Sequence, residues 1–235
     1  MLSISNLYVK ADKKLILRGV NLEVKAGELV VLFGPNGCGK TSLLKSVVGL
    51  SKYKVVKGDI KFGGETILNK SINERNKMGI GLMFQRPPVI DGVRVGDILE
   101  GNHVLEKRLL VSEFLNRSLN DNLSGGEVKR MEMYQMISMK LKLCLFDEPD
   151  SGVDVENIKM LAKEINEIME DKEKSAVLVT HGGQILKYLK PTRAVVMVGG
   201  KIICHGDPQR VYQSISKVGY KKCIGCKCKG RCYEK

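Results

Sequence analysis

Eight residues near the N-terminus combine glycine, lysine and threonine in a spacing suited to phosphate binding. The run GPNGCGKT begins at Gly34, after an apolar run and before a helical pattern, and fits G-x-x-x-x-G-K-[ST]. Glycines allow successive backbone N–H groups to face phosphate oxygens, and the next helix adds its positive N-terminus. We predict that Lys40 bridges the β- and γ-phosphates and that Thr41 binds Mg²⁺. The residues assigned to this site are Gly34, Pro35, Asn36, Gly37, Cys38, Gly39, Lys40, Thr41 and Ser42.

Two adjacent acids, Asp147 and Glu148, follow the apolar run LCLF, which is typical of a buried strand. Burying ionised carboxylates is unfavourable unless a cation compensates, and α/β sheets present ligands at the ends of their strands. We predict that Asp147 holds Mg²⁺ through water, and that Glu148 points the other way and acts as a general base on the attacking water. Two solvated acids opening a loop are the alternative, which a P-loop in the same sheet disfavours.

The elements around these motifs alternate between strand and helix patterns. Strands are predicted at residues 2–9, 20–25, 29–33, 141–146, 176–180, 194–198 and 201–205, a hairpin at 58–68, and helices at 40–50 and 155–170. Residues 86–141 are predicted to be mostly helical, with Met131, Met133, Met136 and Met139 in a helix core. The pattern indicates an α/β fold: a P-loop core of mainly parallel sheet, an N-terminal antiparallel β subdomain and an inserted α-helical subdomain.

Composition and charge narrow the class of protein. Of the 235 residues, 43% are hydrophobic and 28% are charged, as in folded globular proteins. No apolar run approaches the ~18 residues of a membrane span, and we find no secretory signal, so we expect a cytoplasmic chain. The net charge of +13 suggests nucleic acid as a candidate class of partner. The lysines, however, are spread along the whole chain, except for a cluster after Lys217. A solvated surface is therefore favoured over nucleic-acid binding.

The seven cysteines fall into two groups. Cys38, Cys144 and Cys204 are isolated, and we expect them to be reduced and structural. The other four lie near the C-terminus with the spacing C-x₂-C-x-C-x₃-C. These candidate zinc or iron–sulfur ligands are Cys223, Cys226, Cys228 and Cys232. A basic tail with free thiols is the alternative.

Four further segments resemble the ABC ATPases. The run LSGGE at 123–127 resembles the ABC signature, Gln85 falls in a Q-loop position, His181 in an H-loop position, and Ser151–Asp154 resembles the D-loop. Their order along the chain matches that family over about residues 1–215. The resemblance implies an ATP-binding domain at 1–215, with the helical subdomain at about 86–141 inserted and a basic, cysteine-rich tail at 216–235.

The resemblance also implies how the site works. Two copies would pair head to tail around ATP, so that Ser124, Gly125 and Gly126 of one copy contact the γ-phosphate held by the other. His181 would contact the γ-phosphate and position water with Glu148. Gln85 would sense Mg²⁺, and Asp154 of the D-loop would complete the nucleotide site. Hydrolysis of ATP to ADP and phosphate would release the pair.

A finer resemblance is to the SufC branch of the family, the ATPases of the Suf iron–sulfur cluster assembly system. It rests on LCLFDEPDSGVDV at 143–155 and THGGQIL at 180–186, although Gly182 and Gly183 replace a bulkier pair. Ala11 stands where many transporters have an adenine-stacking aromatic residue. This resemblance implies a SufB/SufD-like scaffold as the partner. The alternative is the ATP-binding subunit of a membrane transporter, with a permease as the partner.

Overall fold

The computed structural model describes residues 1–99, 101–119 and 121–220. The four C-terminal cysteines, and most of the tail predicted at 216–235, lie outside these residues. Within the described ranges, no helix is both long and apolar enough to cross a membrane.

Two sheets and six helices make up the described fold. The strands are β1 (Leu2–Ala11), β2 (Lys14–Val24), β3 (Leu29–Phe33), β4 (Tyr53–Phe62), β5 (Glu65–Thr66), β6 (Ile80–Met83), β7 (Leu143–Asp147), β8 (Ser175–Val179), β9 (Arg193–Val198) and β10 (Lys201–Gly206). The helices are α1 (Lys40–Val48), α2 (Ile72–Lys77), α3 (His103–Arg108), α4 (Gly125–Ser138), α5 (Val155–Ile168) and α6 (Pro208–Val218).

The strands separate into an antiparallel sheet and a mainly parallel one. The first has the order β2-β1-β4-β5 and is antiparallel throughout. The second has the order β10-β9-β3-β8-β7-β6, in which only the β9–β10 hairpin is antiparallel. The predicted fold class is confirmed.

The parallel sheet is buried on both faces because alternate residues of its central strands enter two different cores. Val31 and Phe33 of β3 pack on the side of α4 and α5. Val30 and Leu32 pack against the antiparallel sheet and α1. Continuous apolar runs are the pattern expected for such strands. The loops at the carboxyl end of this sheet are therefore attached to a rigid base.

The inserted region is less helical than predicted. Between 86 and 141 it contains α3, α4 and two short 3₁₀ helices (Val95–Ile98 and Val111–Phe114). Residues 84–94 form no helix, because Pro87 and Pro88 lack the N–H that a helix needs and restrict the preceding residues. The prediction of a mostly helical segment was therefore wrong for its first part.

The methionines of α4 were predicted to lie in a helix core. Met131, Met133 and Met136 are buried as predicted. Met139 is 48% exposed, because it follows the last helical residue and the chain turns away from the core there. The prediction was right for three methionines and wrong for the fourth.

Candidate nucleotide-binding and catalytic site

The P-loop lies between β3 and α1. Gly39, at the N-cap of α1, has a φ of +113° and no side chain with which to cap the helix. The first N–H groups of α1 are therefore open to an anion. Gly34 has no room for a side chain, because a Cβ there would lie 2.3 Å from the Met197 carbonyl oxygen. These glycines shape a cradle suited to phosphate.

Lys40 lies across this cradle and is buried. Its Nζ donates to the carbonyl oxygens of Gly34 (2.7 Å) and Pro35 (3.2 Å). Burial lowers the pKa of Lys40, while the nearby Cys38, Glu148 and Asp147 act in the opposite direction. A buried ammonium held only by carbonyl groups is well placed to bind an anion.

Cys38 was assigned to the phosphate site, but its thiol is turned into the protein. The residue is buried, and its Sγ lies 2.6 Å from the position that a Cβ on Gly34 would take. Burial raises the pKa of Cys38 above its ordinary value. Cys38 does not line the cavity, so its side chain has a packing role.

Asp147 and Thr41 form the candidate magnesium position. The Thr41 hydroxyl donates to Asp147 Oδ1 at 3.0 Å. Asp147 is fully buried, and its Oδ2 has no hydrogen-bond partner among the described residues. Burial raises the pKa of this carboxyl group. An unpartnered carboxylate oxygen beside a hydroxyl is the set of hard oxygen donors that Mg²⁺ prefers, so these residues fit the ion.

Glu148, Gln85 and His181, all predicted to be catalytic, meet at one point. Gln85 Nε2 lies 2.5 Å from Glu148 Oε2, and His181 Nε2 lies 2.7 Å from Glu148 Oε1. Glu148 has a φ of +52°, which is unfavourable for a residue with a side chain and is characteristic of functional sites. Asp147 faces Thr41 while Glu148 faces His181, so the two acids point to different sides as predicted.

A cavity of about 340 Å³ connects the P-loop to these three residues. It is lined by Ile16, Asn36, Gly37, Gly39, Lys40, Thr41, Ser42, Gln85, Glu148 and His181. Ile16 of β2 was not predicted to lie here. Ala11, which stands where many transporters have an adenine-stacking aromatic residue, is buried in β1 and does not line this cavity. Ile16 therefore supplies an apolar side chain to the wall of this cavity.

The signature residues lie elsewhere. Ser124 caps α4, since its hydroxyl accepts from the Glu127 N–H (3.3 Å) while Glu127 Oε2 accepts from the Ser124 N–H (2.7 Å). Gly125 and Gly126 pack on the D-loop and α5; a Cβ on Gly125 would lie 2.6 Å from the Gly152 carbonyl oxygen. The three residues do not line the P-loop cavity.

Asp154, assigned to nucleotide binding, is also away from the cavity. Its carboxylate caps α5 by accepting from the Asn157 N–H (2.8 Å) and from Asn157 Nδ2 (2.9 Å). These hydrogen bonds lower the pKa of Asp154. Within one chain, therefore, the side chains of Ser124 and Asp154 do not line the P-loop cavity, although the D-loop backbone contacts Glu148 through the Ser151 N–H (3.1 Å).

A buried ion pair that was not predicted joins the Q-loop to the signature helix. Lys129 Nζ contacts Glu132 Oε2 (3.0 Å) and donates to the carbonyl oxygens of Phe84 and Gln85, the latter at 3.1 Å. Glu132 Oε1 accepts from the Phe84 N–H at 2.7 Å. Burial raises the pKa of Glu132. Lys129 and Glu132 stand among other charged residues in the sequence, and no sequence signal sets this pair apart.

Together the glycine-rich loop, the acid pair and the parallel sheet define a P-loop nucleotide-binding fold. The family model described as "ABC transporter" matches residues 17–151. The chain belongs to the ABC transporter family, and its described residues form that family's nucleotide-binding domain.

Relatives of known sequence match nearly the whole chain. A probable ABC transporter ATP-binding protein of Streptococcus pyogenes is 34% identical over 94% of this chain and 93% of its own length. The probable ATP-dependent transporter ycf16 of Pyropia yezoensis is 36% identical over 94% of this chain and 96% of its own length.

Two solved structures are similar in fold. A nucleotide-free ATP-binding cassette from an ABC transporter has a TM-score of 0.78 at 23% identity, covering 95% of this chain and 98% of that one. A dimeric ATP-binding cassette in a post-hydrolysis state with ADP and Pi has a TM-score of 0.72 at 22% identity, covering 87% of this chain and 97% of that one.

Proposed function

We propose that this chain binds Mg·ATP in the P-loop cavity and hydrolyses it to ADP and phosphate. The observation that carries the proposal is the position of Glu148, held between Gln85 and His181 at the edge of a cavity that also contains Lys40. Magnesium bound at Thr41 and Asp147 would supply positive charge to the β- and γ-phosphates. Lys40 would leave the carbonyl groups that it now contacts and bind the same phosphates.

Hydrolysis needs a water molecule held in line with the γ-phosphorus atom. Glu148 is placed to orient that water and accept its proton as the new P–O bond forms and the bond to ADP breaks. His181 and Gln85 hold the two carboxylate oxygens of Glu148, so they restrict the direction in which it can accept the proton. His181 also lines the cavity, where it would contact the γ-phosphate.

We propose that two copies close head to tail around ATP. The Ser124 hydroxyl accepts a hydrogen bond within its own helix but keeps its O–H to donate. The N–H groups at the start of α4 lie away from the P-loop cavity of their own chain, and a nucleotide bound to a second copy would bring a phosphate to them. The solved cassette dimer with ADP and Pi has the same fold, which supports the arrangement.

Mass in solution tests this dimer. Light scattering during gel filtration, with a nonhydrolysable ATP analogue and Mg²⁺, should give twice the mass of the chain. The nucleotide-free sample is the control. A chain that remains a monomer at a saturating concentration of the analogue, even with its natural partner present, contradicts the head-to-tail proposal.

For the partner, we propose a SufB/SufD-like scaffold on which iron–sulfur clusters are built in the cytoplasm. Support comes from the DSGVD segment at 150–154 and from an apolar groove beside the Q-loop. This Q-loop groove, of about 330 Å³, contains Ile72, Phe84, Pro87, Pro88, Ile90 and Met139 among its lining residues. Ile72, Ile90 and Met139 are partly exposed, as expected for a docking surface.

A membrane permease is the second candidate partner. The names of the relatives, an ABC transporter ATP-binding protein and an ATP-dependent transporter, favour it. Affinity purification of the chain from its own cells distinguishes the two. Recovery with a β-rich scaffold protein that needs no detergent supports the first, whereas recovery only with a detergent-solubilised membrane protein contradicts it.

The C-terminal cysteines remain a proposed metal site. The support is their close spacing and the basic residues among them, such as Lys227 and Lys229, which favour thiolates. The zinc and iron contents of the full chain and of a chain truncated after Tyr220 provide the test. Equal metal contents would remove this proposal and leave the nucleotide site untouched.

A further inference from the structure

The loop that carries His181 has little stiffness of its own. Two glycines, Gly182 and Gly183, follow the histidine, and Gly183 has a φ of +61°. Glycine has more conformational freedom to lose than any other residue. A histidine placed 2.7 Å from Glu148 therefore needs contacts from outside this loop to hold it there.

One such contact comes from the residue before the histidine. The Thr180 hydroxyl donates to Asp150 Oδ2 (2.7 Å) and accepts from the Gly183 N–H (3.1 Å). Thr180 is fully buried, so these hydrogen bonds are shielded from water. They fix the inner side of the loop to Asp150, three residues after the end of β7.

The second contact comes from α6, near the end of the described chain. The Tyr212 hydroxyl donates to the Gly182 carbonyl oxygen at 2.7 Å, one residue after His181. The Tyr212 ring lies so close to Gly183 that a Cβ there would be 2.1 Å from ring atom Cε2. The ring therefore occupies the space that a side chain after the histidine would fill.

Tyr212 also reaches the base of the P-loop. Its ring stacks on Phe33, with centroids 6.1 Å apart and planes at 23°. Phe33 is the last residue of β3 and is followed directly by Gly34. One side chain of α6 thus contacts the loop of the histidine and the strand that carries the P-loop.

We propose that Tyr212 is a positioning residue for hydrolysis: it holds the backbone beside His181 so that the imidazole stays on Glu148. This inference rests on the proposed hydrolysis of ATP. Tyr212 touches neither the nucleotide cavity nor Glu148, so it acts through Gly182 and Gly183. Its loss should affect turnover and leave ATP affinity unchanged.

Tyr212→Phe tests the inference, because it removes the hydroxyl and keeps the ring that stacks on Phe33. We expect kcat for ATP hydrolysis to fall about three- to tenfold, as for the loss of one hydrogen bond, with the Kd for Mg·ATP within about twofold. The NMR signal of the His181 imidazole, assigned with His181→Gln, should move at fixed pH. Tyr188→Phe is the matched control, because the Tyr188 hydroxyl has no hydrogen bond in the described part of the chain.

The outcomes separate this inference from the proposed function. A kcat for Tyr212→Phe equal to that of Tyr188→Phe overturns it, whatever the imidazole signal does. If the unmodified chain hydrolyses no ATP, the proposed hydrolysis is wrong. The imidazole signal then decides alone. A signal that moves in Tyr212→Phe but not in Tyr188→Phe supports the positioning of His181, and a signal that does not move in Tyr212→Phe overturns it.

Discussion

The P-loop and the signature both lie at the N-terminus of a helix, but only the signature helix has a side-chain cap. Each has glycines at the N-terminus of a helix: the P-loop glycines precede α1, and Gly125 and Gly126 begin α4. At the P-loop, the N-cap is Gly39, which leaves the first N–H groups of α1 facing a cavity. At the signature, the N-cap is Ser124, which forms a reciprocal capping box with Glu127 and lines no part of that cavity.

This difference fits the proposal that two copies pair head to tail and that the signature of each completes the P-loop site of the other. The uncapped α1 needs an anion, and Lys40 and Thr41 stand beside it to help bind one. The N-terminus of α4 is already capped within the chain, and in the proposed pair its serine hydroxyl and glycine N–H groups would bind the phosphate of the second copy. The buried pair of Lys129 and Glu132 fixes the signature helix to the backbone of Gln85, so the two regions are mechanically connected.

The largest effect is expected where this connection is broken. Lys129→Met leaves Glu132 buried without its cation, and should lower the free energy of unfolding by about 3 kcal/mol, measured in urea. Replacing Glu132 by leucine in the same chain should recover most of that loss.

Lys163→Met is the control for that measurement. Lys163 is exposed, and its ion pair with Glu167 at 3.8 Å should contribute at most about 0.5 kcal/mol. If Lys129→Met changes stability as little as Lys163→Met does, the pair does not hold the two regions together.

The next largest effect concerns the nucleotide region alone. Glu148→Gln keeps the size of the side chain but cannot accept a proton, so kcat should fall at least about a hundredfold while Mg·ATP still binds. Phosphate release and equilibrium binding measure the two quantities. Glu156→Gln, on the exposed first turn of α5, should leave both unchanged. Near-normal turnover in Glu148→Gln would show that the base lies elsewhere.

A smaller effect is expected at the signature. Ser124→Asp keeps an N-cap for α4, because aspartate caps helices well, but it places a negative charge where the partner's γ-phosphate should bind. We expect hydrolysis to fall about tenfold or more and the ATP-dependent dimer to be lost, with no loss of thermal stability.

Ser71→Asp makes the same exchange in a matched setting. Ser71 caps α2 in the same reciprocal box with Glu74 and lies outside the nucleotide cavity. Basal hydrolysis and dimer formation should therefore be unchanged in this variant. Equal losses in the two variants would mean that the Ser124 effect is structural, which contradicts its role in the partner's site.

The nucleotide region could be predicted from sequence because its signals are short. The pattern of glycines before Lys40 and the apolar runs of β3 and β7 are local, and so the strands and helix around them were placed nearly correctly. The same local reasoning did not identify Ile16, which lines the cavity. The pairing of β1 with β2 shifts register near Val9, so counting residues along the strand does not give the side chain that faces the cavity.

The connecting residues could not be predicted because their contacts exist only in the fold. Tyr212 and Gly182 are far apart in the sequence and meet only because α6 packs beside the loop of His181. Lys129 follows the signature in an ordinary charged stretch, and only its burial shows that it holds the Q-loop. Whether the D-loop and signature face meets a second copy depends on another molecule, which no single chain can show.

The smallest effect is expected in the nucleotide region, where a substitution should raise the free energy of unfolding and not lower it. Asp147 is fully buried with one oxygen unpartnered among the described residues, so its charge opposes folding when no Mg²⁺ is bound. Asp147→Asn should therefore raise the free energy of unfolding of the nucleotide-free chain by about 1 kcal/mol at pH 7.5 and remove the extra stabilisation by Mg·ATP.

The raised pKa of Asp147 determines how the effect of Asp147→Asn on stability should change with pH. The pKa of Asp147 is raised in the folded chain, so the folded state binds the proton more tightly than the unfolded state does. Stability is then lost as pH rises from about 3.9, the unfolded value, through the raised pKa, and the advantage of Asp147→Asn should shrink at pH 5.

Asp154→Asn should show no such gain, because that exposed carboxylate has a lowered pKa and asparagine caps a helix equally well. Urea unfolding at the two pH values measures both variants. A loss of stability in Asp147→Asn at pH 7.5 would mean that this carboxylate is compensated without a metal, and the magnesium position would have to be sought elsewhere.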